Sequence, residues 1–70
     1  MGNFPNNLAN LRIKRQLTQE GLAKRIGISQ SAIWQYENGE ATPKIEIAIK
    51  LAECLGTTVE SLVKGDEGGA

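Results

Sequence analysis

Apolar residues recur along this chain at helical spacing, three or four positions apart, and no stretch alternates as a strand does. Five short helices are predicted. Leu8, Leu11 and Arg12 share one face of a first helix over about Pro5–Gln16, with Pro5 suited to a first turn and Ile13 off the inner face. Thr18 caps a second helix that runs to about Arg25, with Leu22, Ala23 and Ile26 inward. Gly27 ends it. Ser29 caps a third helix that reaches about Glu37, with Ile33 and Tyr36 inward, and Asn38-Gly39 stops it. Thr42-Pro43 reads as a cap followed by proline at the first helical position of a fourth helix. That helix carries Ala48, Leu51, Ala52 and Leu55 on one face, and Ile47 is read as lying off it. Thr57 to Glu60 has the pattern of a capping box, leading into a fifth helix with Val59, Leu62 and Val63.

The expected organisation is an N-terminal arm over residues 1–5, one helical domain over 6–64, and a tail or linker over 65–70. Gly65-Asp66-Glu67-Gly68-Gly69-Ala70 has no apolar side chain larger than alanine, so it offers nothing to pack. About 60 residues then have to build a core, near the lower limit for a self-sufficient domain, and local helical connections suit that size.

The cysteine count narrows the chemistry. Cys54 is the only cysteine and there is no histidine, so neither an internal disulfide nor a four-ligand zinc site can be assembled. Cys54 reads as a small filler at the core edge. No nucleophile–base pair can be named, so an enzyme is not expected, nor is a cofactor or a small-molecule ligand. No apolar run approaches the ~18 residues of a membrane span. A cytoplasmic protein is expected.

Net charge is zero, but it is unevenly placed. Residues 1–35 carry Arg12, Lys14, Arg15, Lys24 and Arg25 against Glu20, a balance of +4. Residues 36–70 carry three lysines against seven carboxylates, a balance of −4. A basic half of this kind suits a polyanion, and Lys14, Arg15, Lys24 and Arg25 are candidate phosphate contacts.

The second and third helices, joined by Gly27-Ile28-Ser29, have the makings of a sharp helical corner. Ala23 is small where the helices cross, Gly27 tolerates a left-handed turn, and Leu22, Ile26, Ile28, Ile33 and Tyr36 fill the angle. The third helix is left with Gln30, Ser31, Trp34 and Gln35 outside. An ordinary solvated face carries Glu and Lys, and this one has neither. Amide side chains both donate and accept, as base edges require.

Leu11-Arg12, Leu17-Thr18-Gln19-Glu20, Leu22-Ala23, Gly27-Ile28-Ser29, Ile33, Tyr36-Glu37-Asn38-Gly39, Pro43, Leu51-Ala52, Leu55-Gly56 and Leu62 together resemble the Cro/repressor-type helix-turn-helix family. The resemblance covers about residues 6–64. It implies an all-α, five-helix, lambda-repressor-like DNA-binding domain in which helices 2 and 3 form the helix-turn-helix. It further implies that Gln30, Ser31 and Gln35 reach base edges in the major groove. By the same resemblance Gln19 binds a phosphate and braces the recognition helix, Asn38 binds a phosphate, and Arg12 and Glu37 form an ion pair. Two positions depart from the family pattern. Gly21 stands where Glu is usual, removing half of a capping box, and Trp34 replaces a small or polar residue. Trp34 suits either sugar-phosphate or a protein partner.

The expected function is sequence-specific binding of double-stranded DNA by a transcriptional regulator, in particular a repressor. The expected target is a near-palindromic operator bound by a homodimer that forms at least on DNA. A second class stays open: the same fold serving as a protein-interaction module for a regulatory or toxin partner, which zero net charge and an exposed tryptophan would favour.

Overall fold

The computed structural model describes residues 3–65. It contains five helices: α1 (Phe4–Lys14), α2 (Gln19–Ile26), α3 (Gln30–Glu37), α4 (Ile45–Leu55) and α5 (Val59–Lys64). No strand occurs among the described residues. Residues 66–70 of the expected tail lie outside them.

Phe4, Leu8, Leu22, Ile33, Leu51, Leu55 and Leu62, drawn from all five helices, are nearly or wholly removed from water and meet in one core. Each helix gives that core one stripe, which is why helical periodicity found most of its members. Helix α1 packs on α3 and α5, α2 on α3 and α4, and α4 on α5. The α2–α3 corner is thus held from behind.

The helix ends follow from local chemistry. Thr18, Ser29 and Thr58 each accept a hydrogen bond from a backbone N–H three residues on, at 2.9, 3.2 and 3.0 Å. Gly27 and Gly56 close α2 and α4 at φ of 78° and 69°, a left-handed turn that lets the last carbonyls find donors. Helix α1 ends in the same turn without glycine: Gln16 sits at φ 61°, while Leu17 N–H reaches the Arg12 carbonyl at 3.1 Å.

Four readings of the sequence are corrected. Residues 1–5 are not all arm: α1 starts at Phe4, which is 2% exposed in the core. A single aromatic ahead of a proline shows no periodicity, so only packing reveals it. Helix α4 starts at Ile45 rather than Pro43. Pro43 is buried in an extended approach, and Lys44 stands at the N-cap with no side-chain hydrogen bond. The expected box from Thr57 to Glu60 does not form, because Thr58 is the cap and Glu60 instead meets Lys64 at 3.1 Å. Ile47 packs against the core, and the exposed isoleucines of α4 are Ile45 and Ile49. The expected stripe of Ala48, Leu51, Ala52 and Leu55 is the buried one, and Ile47 joins it because it stands one turn before Leu51. Cys54 does pack at the core edge.

Candidate nucleic-acid interface

The corner between α2 and α3 is built as its sequence requires. Ala23 is 2% exposed where α3 crosses, and its carbonyl accepts from both Gly27 N–H and Ile28 N–H, at 2.9 and 3.0 Å. A Cβ on Gly27 would meet nothing within 4 Å, so glycine is needed there for its backbone angle and not for space. Leu22, Ile26 and Ile33 are buried inside the angle, with Ile28 and Tyr36 packed at its margin.

Fixing the inner face of α3 in this way sets its outer face. Gln30, Ser31, Trp34 and Gln35 are all exposed and line one shallow concavity together. Trp34, 43% exposed, therefore stands among the glutamines rather than apart from them. No acidic or basic side chain lies on α3 before Glu37, so this face offers donors and acceptors without charge.

Behind that face runs a chain of polar contacts. Arg12 Nε donates to Glu37 Oε2 at 2.6 Å, and Arg12 Nη2 donates to Oε1 at 3.1 Å. The two side chains are 14% and 5% exposed, a nearly dry pair joining α1 to the end of α3. Arg12 Nη1 also donates to the Leu17 carbonyl at 2.8 Å. Gln19, at the first turn of α2, continues the chain: its Nε2 donates to Glu37 Oε1 at 3.0 Å, and its Oε1 accepts from Gln30 Nε2 at 2.7 Å. Gln30 is thereby tethered to the body of the domain. No buried side-chain polar atom among the described residues lacks a partner.

The remaining candidates are scattered. Asn38 Nδ2 donates to the Trp34 carbonyl at 2.8 Å, closing the C-terminus of α3, and the residue is exposed beside the recognition face. Lys24 lies 4.0 Å from Glu20, both largely in water, a contact worth little in itself. Arg25 faces the groove between α2 and α4, next to Lys50, Glu53 and Cys54. Lys14 lines a separate hollow between α1 and α5, with Asn7, Asn10 and Ser61.

Two structural residues escaped sequence reasoning. Arg15, expected to meet phosphate, donates from Nε to the Leu55 carbonyl at 2.9 Å and so closes the C-terminus of α4. Asn7 Nδ2 donates to the Leu62 carbonyl at 2.9 Å, doing the same for α5. Gly56 signals that α4 leaves free carbonyls, but nothing in the sequence says which donor reaches them. With Arg12 neutralised by Glu37, the basic excess of the first half is smaller in space than the count of charges suggests, while Arg15 keeps its charge but is held at a carbonyl.

The comparisons with known proteins agree with this geometry. A helix-turn-helix family model matches residues 8–62, the span from mid-α1 to mid-α5. The chain belongs to this Cro/repressor-type helix-turn-helix family. It is 36% identical over 64 residues to the cryptic phage CTXphi transcriptional repressor RstR of Vibrio cholerae, covering 91% of this chain and 58% of that protein. It is 37% identical over 57 residues to an uncharacterized HTH-type transcriptional regulator of Methanocaldococcus jannaschii, covering 81% and 86%. The P22 c2 repressor, solved in complex with a synthetic operator, superposes with a TM-score of 0.87 at 30% identity over 94% of this chain and 100% of the other. The chain thus spans little more than half of the Vibrio repressor and most of the archaeal regulator. The helix-turn-helix fold expected from the resemblance is the fold observed.

Proposed function

We propose that this chain is the DNA-binding domain of a sequence-specific transcriptional repressor that places α3 in the major groove. The observation that carries this is the uncharged, hydrogen-bonding face of Gln30, Ser31, Trp34 and Gln35, held outward by a rigid corner. Gln30, Ser31 and Gln35 read base edges, since each can donate and accept. Gln19 and Asn38, at the two ends of the corner, hold the backbone, joined by Trp34 against sugar and by Lys24 and Arg25 on the flank. Phosphate contacts of this kind set register and carry no sequence information. The likeness to a repressor solved on operator DNA supports the same reading.

One copy of α3 spans only a few base pairs. Two copies on a near-palindromic site, with half-site centres about 34 Å apart, supply the information a genomic target needs. This reading puts its work in the cytoplasm, as expected of a regulator similar to bacterial and archaeal ones.

Trp34, Ile45 and Ile49, at 43%, 61% and 44% exposure, favour a second reading in which the fold docks a protein partner. Selection of bound sites from random duplex DNA separates the two. On the selected site, Gln30→Ala and Gln35→Ala each lose roughly 1–3 kcal/mol of binding and much less on scrambled duplex. Asn38→Ala loses similar factors on both, whereas Gln19→Ala, which also releases Gln30, weakens both and lowers selectivity as well. If no site is enriched, or Gln35→Ala weakens both duplexes equally, the assignment of this face to bases is wrong.

A further inference from the structure

The contacts behind α3 do more than hold Gln30 in place, because an amide has two unlike ends. A carboxylate in an ion pair only accepts hydrogen bonds. Glu37, held by Arg12 at 2.6 and 3.1 Å, therefore requires that Gln19 turn its NH2 group toward it. That leaves Gln19 Oε1 at the far end, 2.7 Å from the Gln30 amide. An oxygen there requires a donor, so Gln30 must turn its own NH2 group toward Gln19. Each orientation is dictated by the one before it. The chain starts at the one member that cannot be turned round, a nearly dry carboxylate that is 5% exposed.

We propose that Glu37, through Gln19, is a positioning residue that fixes which way round the Gln30 amide faces a base pair. This rests on the reading of α3 as the base-reading helix. With one N–H bound to Gln19, Gln30 presents its oxygen and its second N–H to the groove. That pair of groups complements adenine, which offers N7 as acceptor and the N6 amino group as donor. Turned round, Gln30 would offer the groove N–H donors and no acceptor, and would suit the N7 and O6 acceptors of guanine instead. The ion pair, which touches no base, thus selects between adenine and guanine under Gln30.

The test is Glu37→Leu. With the carboxylate gone, nothing obliges Gln19 to turn its NH2 group that way, so Gln19 takes either orientation and Gln30 follows it. The position to examine is the base pair whose selectivity disappears in Gln30→Ala, located on the site selected by the unaltered protein. Two duplexes that differ only there, A·T against G·C, are titrated by anisotropy. The unaltered protein prefers the adenine duplex by roughly 5- to 150-fold, the range of a good two-bond contact. Glu37→Leu brings that ratio to one or inverts it. The ratio of two affinities does not depend on how much of the variant is folded, so a loss of stability leaves the readout intact. Gln19→Leu, which keeps the ion pair and cuts the relay, moves the ratio toward one without inverting it. An unaltered protein that prefers guanine at that pair, or an adenine preference that survives Glu37→Leu or Gln19→Leu at full size, overturns the relay. Failure of the unaltered protein to select any site overturns the DNA reading itself, and is recognisable as such because it precedes every variant.

Discussion

Arg12→Ala tests the junction on which the site depends. Arg12 makes three hydrogen bonds: two to Glu37 at 2.6 and 3.1 Å and one to the Leu17 carbonyl at 2.8 Å. Its removal leaves a carboxylate that is 5% exposed with one remaining partner, Gln19. Breaking one side of a buried pair costs about 3–5 kcal/mol. Arg12 keeps 14% exposure and water can reach the vacated space, so the lower end, about 3 kcal/mol, applies here. A domain of this size has a total stability of roughly 3–9 kcal/mol. The melting temperature, followed by circular dichroism at the helical band, should fall by roughly 12–24 °C. Glu37→Ala should fall less, because guanidinium reaches water more easily than a buried carboxylate does. The double variant should lose less than the two single losses added, since much of each single loss is an orphaned charge. A drop below 3 °C in Arg12→Ala, or strictly additive losses, would refute the view that this pair is nearly dry and coupled.

Two further outcomes follow from the structure. Gln16→Gly should stabilise the domain by about 0.5–1 kcal/mol, raising the melting temperature roughly 2–8 °C, because a side chain at φ 61° is strained where glycine is not; an unchanged or lower melting temperature counts against that strain. DNA affinity should fall with salt, but moderately: with Arg12 and Arg15 engaged, two copies contributing Lys24 and Arg25 give a slope of log affinity on log salt near about −4, whereas a slope near zero rules out phosphate contacts and one near about −7 means that Arg12 and Arg15 leave their internal partners on DNA.

The sequence by itself determined the helical elements, their inner faces and the corner between the second and third helices. It could do so because these are local: Thr18, Ser29, Gly27 and Gly56 act within four residues of where they stand. It also singled out Gln30, Ser31, Trp34 and Gln35, since the residues that fill the corner decide by periodicity which ones are left outside. Contacts between residues far apart in the chain could not be read in this way. The pairing of Arg12 with Glu37 was expected only through family resemblance, and the link through Gln19 to Gln30, the capping of α4 by Arg15 and the burial of Phe4 became visible only in three dimensions. Each depends on how one helix end is placed against another, and that placement comes from the packing of the whole core. Charge shows the same division. The sequence counts five basic residues in its first half, but only the fold reveals that two of them point at a carboxylate and a carbonyl.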